Sequence, residues 1–177
     1  MKSDISKHIK GYMLGGFIFL ALLPCIIYFI SLISSSSLRL NDAPVKYLNY
    51  VVITILVISG SVFAIWSNID LLIIGKGGPA DLFNKEISPR SKKLVTTGPY
   101  KFTRNPMVFG MNALYFAFAF FLNSFSALVF CIFLLSMVII YLKYTEEKRL
   151  EKDFGIEYLE YKKKVSMIIP LPKKGIR

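Results

Sequence analysis

The chain has 177 residues, enough for one domain, and carries 54% hydrophobic residues, 15% aromatic residues, a mean hydropathy of +0.54 and a formal charge of +11. A soluble domain of this length has too little interior to hide that much apolar surface, so composition excludes an ordinary soluble fold and points to an integral membrane protein. The basic excess flanks apolar spans and comes with no RNA- or DNA-binding signature, so it reads as membrane topology and not as a nucleic-acid surface.

The start, "MKSDISKHIK", imitates a signal peptide, but the apolar run after it is about 23 residues long and no small-residue cleavage site follows. It is read as a retained first span over Gly11–Ile33, about 34 Å as a helix, with a kink at Pro24. His8, the only histidine, stands in the N-terminal tail without a sequence partner and gives little sign of catalysis. "SSSSLRLNDAP" is a short polar link. A second span follows over Tyr47–Gly75, with Asp70 near its end and expected to face water.

Next comes "GKGGPADLFNKEISPRSKKLVTTGPYKFTRN", polar and rich in Gly, Pro and Lys. A third, short span covers Pro106–Leu122, "NSFS" turns it, and a fourth covers Phe125–Tyr144. So short a break predicts an antiparallel helical hairpin. The tail "TEEKRLEKDFGIEYLEYKKKVSMIIP" predicts a helix, a break at Gly155, and helix again. The expected architecture is an all-α membrane bundle of about four transmembrane helices, ending in a helical hairpin and a cytoplasmic helical tail. Residues 1–75 form its N-terminal membrane helices, and residues 76–177 a core of loop, hairpin and tail.

Of the 22 basic residues, 20 fall on the side shared by both termini if there are four spans, which predicts cytoplasmic termini and a cytoplasmic polar loop. A bacterial inner membrane is the expected location. Cys25 and Cys131 lie inside apolar runs and read as small buried hydrophobes, and no metal site is expected.

This topology has a chemical consequence. The Leu94–Asn105 loop and the Glu146–Tyr161 tail hang from opposite legs of one hairpin, so they emerge together. Asn105 is a good N-cap, Pro106 suits the first helical turn, and Arg104 stands beside the open N–H groups, a place that favours a carboxylate or phosphate. Glu146 and Glu147 extend the other leg and can hold an ammonium group; the plain alternative is a solvated helix face with i,i+3 and i,i+4 pairs to Lys148 and Arg149. Asn112 is a candidate pocket residue, with interhelical hydrogen bonding the plainer reading. Aromatic runs such as "YFAFAFF" read as lipid-facing or packing surface.

"KLVTTGPYKFTRNPMVFG", followed by "EEKRLEKDFGIEYLEYKKKV", resembles the isoprenylcysteine carboxyl methyltransferase family and its bacterial relatives, which overlap in pattern with phospholipid N-methyltransferases. The likeness covers about Gly75 to Pro170, with both blocks in order around the hairpin. It implies S-adenosyl-L-methionine as cofactor, a lipophilic small molecule or lipid as substrate, and the membrane as setting. By motif position it implies cofactor contacts at Lys92, Lys93, Leu94, Val95, Tyr100, Asn105, Pro106, Met107, Val108 and Glu146, beside the Arg104 picked out by charge. Direct displacement at the sulfonium methyl then requires alignment of nucleophile, methyl and sulfur and no covalent intermediate, so no catalytic side chain is named. An amine nucleophile would pass a proton to water or to Glu147.

Two positions depart from the family pattern. A family tyrosine falls at Val108, and the arginine four residues before the cofactor glutamate falls at Leu142, with Lys143 adjacent but about 100° round an α-helix. Alternatives are therefore a phospholipid N-methyltransferase, an NADPH-using membrane reductase that shares a distantly similar cytoplasmic half, and a family member without catalysis.

Overall fold

The computed structural model describes residues 2–33, 43–78, 81–82, 85–86 and 88–171. Most of the polar link between the first two spans lies outside the described residues. The order of elements is α1 (Lys2–Gly16), a π-helical segment (Phe17–Leu22), α2 (Leu23–Ile33), α3 (Ala43–Ile73), α4 (Pro106–Phe121), α5 (Phe125–Tyr141), a second π-helical segment (Leu142–Glu146) and α6 (Glu147–Lys164). A two-residue antiparallel ladder pairs β1 (Asp81–Leu82) with β2 (Lys85–Glu86) in the polar segment after α3.

All four expected apolar segments are helical. Three stretches among the described residues, Ser6–Leu32, Tyr47–Ile73 and Phe125–Lys164, are long and apolar enough to cross a membrane; in the last, the apolar part is α5, and the charged α6 extends beyond it. The other, α4, has 16 residues, roughly 24 Å of helix against a ~30 Å hydrocarbon core. The protein is an all-α membrane protein with three full-length spans and one shorter apolar helix.

Pro24 has the expected effect on the first span, by a specific route. Proline has no N–H to donate and its ring clashes in a regular helix. The chain meets this by running π-helical just before it, so that the Leu23 N–H reaches the Ile18 carbonyl. In that register the partner of the Phe19 carbonyl would be the Pro24 nitrogen, which carries no hydrogen. The Tyr115 hydroxyl of α4 donates to Phe19 O instead, at 2.8 Å. An orphaned backbone acceptor is thereby satisfied from the neighbouring helix.

Small residues set the closest helix approach. On α4, a Cβ at Gly110 would lie 2.6 Å from the Ala64 backbone nitrogen and 2.7 Å from Gly60 O of α3. Only glycine permits this contact, and the Phe63–Phe109 edge-to-face pair, with ring centroids 5.0 Å apart, packs beside it.

Asn123, at φ 51°, makes the hairpin turn, and Ser124 caps α5 by accepting from the Ala127 N–H at 3.3 Å. The buried cluster Ile27, Tyr115, Ala119, Ala127 and Cys131 joins α2 to the hairpin. Cys131 is buried as expected, whereas Cys25 is exposed on the outer face of α2, because only one side of that helix meets the hairpin.

Candidate functional site

The tail helix runs on from α5 through the second π segment, so the chain stays helical from Phe125 up to a kink at Gly155. Inside α6, Gly155 adopts φ 56°, ψ −128°, a conformation open to glycine, at the break expected from sequence. The bend returns the rest of α6 toward the loop before α4. Tyr158, Tyr161 and Val165 are buried there against Leu94, Tyr100, Leu150 and Phe154.

Loop and tail are stitched through their backbones. Thr103 and Ser166 form a parallel bridge, the Arg104 N–H donates to Ser166 O at 2.9 Å, and the Leu171 N–H donates to Phe102 O at 3.0 Å. The Tyr161 hydroxyl donates to Tyr100 O at 2.7 Å. Asn105 holds the N-cap position of α4 without capping it. Its Nδ2 donates to Met167 O at 2.9 Å, beside Thr103 Oγ1 donating to the same carbonyl at 3.0 Å. The expected cap is absent because the tail carbonyl takes the side chain, which leaves Met107 and Val108 at the start of α4 with no capping side chain.

Glu147 is the electrostatic centre of this junction. It is 3% exposed, and such a carboxylate requires countercharge. Arg104 Nη2 lies 2.7 Å from Oε1, off the line of a good hydrogen bond, and Lys162 Nζ lies 2.7 Å from Oε2. Lys162 also reaches Glu151 at 2.7 Å, and Arg104 Nη1 donates to Lys162 O at 2.9 Å. Both carboxylate oxygens of Glu147 thus face cations, and Glu147 is not among the residues that line the cavity beside it. The bonds to Glu147 and Glu151 raise the Lys162 ammonium above its ordinary 10.5. Burial first, then the carboxylates of Glu146 and Asp70, pushes the Tyr100 phenol up. Tyr158 and Tyr161 are raised for the same leading reason.

A cavity opens beside this junction. Ten of the eleven residues expected at a cofactor site line it: Lys93, Leu94, Val95, Tyr100, Arg104, Asn105, Pro106, Met107, Val108 and Glu146. The helical hairpin therefore does bring Asn105 and Glu146 to one site. Lys92 is left out; its side chain is exposed and its backbone N–H donates to Gly75 O at 2.8 Å. Arg104 keeps one donor in reserve, since its Nε is buried and has no hydrogen-bond partner. Glu146 pairs with Arg149 at 3.7 Å, and Arg149 pairs with Asp153 at 3.3 Å, so the plainer helix-face reading also holds.

Sequence reasoning missed several lining residues. Leu150 and Phe154 are an i,i+4 pair on one helix face of the tail motif, and Tyr158 joins them from beyond the Gly155 kink. Gly78, Ser88, Arg90 and Ser91 carry no local signal, because their place depends on how the polar segment folds back on α3. Asp70 is not simply turned to water: its carboxylate lies against Gly98, where a Cβ would be 1.9 Å from Oδ2, and Gly98 has φ 54°. Asn112 donates to Val108 O at 2.9 Å in its own helix and not across helices.

The departures at Leu142 and Lys143 take physical form. Leu142 is 2% exposed and opens the second π segment, where the Glu147 N–H reaches Leu142 O. Through a π turn the 100° per residue of an α-helix no longer applies. Lys143 is exposed, with Nζ 5.6 Å from the Tyr144 ring centroid, and does not replace a site arginine.

Fold and cavity thus define a membrane protein of helical type, with a polar, charged site where a loop and a kinked tail helix meet. Residues 48–157 match the sequence model described as phospholipid methyltransferase, and the chain belongs to that family, which it shares with the isoprenylcysteine carboxyl methyltransferases. It is a membrane methyltransferase in general type. No curated protein and no solved structure matches the chain.

Proposed function

We propose that this protein transfers a methyl group from S-adenosyl-L-methionine to a lipophilic acceptor. The supporting observation is the pairing of charges on one cavity wall: Glu146 on one side of the hairpin, and on the other Arg104, whose buried Nε lacks a partner, beside the uncapped start of α4. An amino acid-type zwitterion needs one anion and one cation or N–H cluster at close range, and this wall supplies both. The cofactor supplies an electrophilic methyl on a sulfonium. The chain's part is to hold and orient: Glu146 takes the ammonium, Arg104 and the α4 N-terminus take the carboxylate, and Tyr100, Leu94 and Val95 exclude water. On the basic-residue distribution, the site lies on the cytoplasmic side.

The isoprenylcysteine-type reading calls for a clamp on the acceptor's carboxylate. The buried Leu142 and exposed Lys143 offer none, and this favours a second reading in which the acceptor is an amine-bearing phospholipid. With Glu147 already ion-paired, the amine's proton would go to water.

Equilibrium binding of S-adenosylhomocysteine to detergent-purified protein tests the cofactor assignment. Glu146→Gln is expected to weaken it by ~1.5–3 kcal/mol, the loss of one charge-assisted hydrogen bond. Absence of binding by the wild type sinks the reading.

A further inference from the structure

Beyond the charged wall, the cavity has a corner built from the glycine-rich segment after α3. Gly78 and Ser88 line it, and the Gly78 N–H donates to Pro89 O at 2.8 Å. Ser88 is 1% exposed, yet its Oγ has no hydrogen-bond partner. His8 Nδ1, on α1, is likewise buried and without a partner. These two orphaned atoms converge. The position a Cβ of residue 78 would occupy lies 2.8 Å from Ser88 Oγ and 3.2 Å from His8 Nδ1. Buried polar atoms left unpaired are costly; Ser88 lines the cavity and His8 does not, so the Ser88 hydroxyl, with His8 Nδ1 near it, is the group that calls for a ligand's hydrogen bond.

Resting on the cofactor reading above, we propose that this corner receives the ribose of the cofactor, with Ser88 as the contact and His8 as the residue that positions its hydroxyl. The Ser88 hydroxyl offers no ion pair to an ammonium or carboxylate, so the corner suits an uncharged polar group. A serine hydroxyl both donates and accepts, while imidazole Nδ1 does one or the other according to its tautomer. A diol can donate to or accept from the Ser88 hydroxyl whichever way His8 turns it, whereas the edge of a purine has a fixed order of donors and acceptors. Glycine at 78 is part of the arrangement, since a Cβ there would stand 2.4 Å from Ser88 Cβ and displace the hydroxyl. His8 lies outside residues 48–157, so this contribution comes from beyond the family-matched region.

The test compares S-adenosylhomocysteine with its 2′,3′-dideoxy analogue, both binding the purified full-length chain. Ser88→Ala is expected to weaken S-adenosylhomocysteine by about three- to tenfold, as for one lost hydrogen bond, and to leave the analogue unchanged. His8→Ala should show the same selective loss, partly restored in His8→Asn. Glu146→Gln should weaken both ligands alike. The two corner residues sit on different segments, so if one variant fails to fold the other still decides. Equal losses for both ligands, or none for either, overturn the ribose subsite and leave the cofactor reading standing; that is also the outcome if only a bridging water occupies the corner. No binding of S-adenosylhomocysteine by the wild type overturns the cofactor reading itself.

Discussion

The two ends of the helical hairpin are held together by different physics. At the turn end, Ile27, Tyr115, Ala119, Ala127 and Cys131 pack as an apolar cluster, and the main polar event is a tyrosine meeting an orphaned carbonyl. At the open end, the loop and tail are joined by backbone hydrogen bonds and by a buried carboxylate gripped by Arg104 and Lys162. Between helices in lipid, apolar surface gains little by leaving one apolar neighbour for another, so close packing of small residues decides. Where the chain is polar and charged, its groups must be satisfied one by one. The cavity sits at the second kind of junction, where charged groups are already gathered and held.

The contrast breaks most visibly at Glu147. Glu147→Ala leaves Arg104 and Lys162 facing each other without the shared carboxylate, and breaking a buried pair costs about 3–5 kcal/mol. The expected result is a lower thermal midpoint in detergent together with earlier protease cleavage near Thr103 and Ser166. A loss no larger than that of an exposed charge would show that the backbone stitching holds the junction alone.

A smaller effect is expected in the membrane half. Gly110→Ala places a methyl 2.6 Å from a backbone nitrogen of α3, which cannot swing aside as a side chain does, so α3 and α4 must part. Overpacking of this kind costs about 1–3 kcal/mol. Gly16→Ala is the control: no atom lies within 4 Å of its Cβ position, and alanine in place of a helical glycine should leave stability unchanged or raised. Equal losses in the two variants would mean that the α3–α4 approach is not the constraint it looks.

These particulars show where sequence reading reaches and where it stops. The turn at Asn123, the break at Gly155 and the disturbance at Pro24 are local, and each residue type carries its own backbone reason. The meeting of loop and tail follows from topology, so ten of the twenty residues on the cavity wall were legible. What was not legible is the choice of partner. Asn105 has the chemistry of a cap and bonds instead to Met167 O, 62 residues away. Glu146 and Glu147 are equivalent as letters, yet the π turn before them sends Glu147 into a buried ion pair and leaves Glu146 on the cavity wall. His8 looked idle because its neighbours come from a segment some eighty residues later in the chain.

The finest separation of the two ends comes from alkaline titration. Lys162 is raised above 10.5 by its bonds to Glu147 and Glu151, so folding favours its charged form. A group whose folded value is raised contributes its stability in full below its unfolded value, and loses it as pH climbs through the folded one. The difference between wild type and Lys162→Gln should therefore be flat from pH 7 to 9 and close only above about 10.5. Because Lys162 is partly solvated, that difference should be less than ~1 kcal/mol. The raised phenols of Tyr100, Tyr158 and Tyr161 act in the same direction, since each ionises more readily once unfolded. Alkali should thus loosen the loop–tail junction, seen as protease cleavage near Ser166, before it opens the helical hairpin. A difference that shrinks between pH 7 and 9 would place the relevant titration on another group and remove Lys162 from the account of this junction.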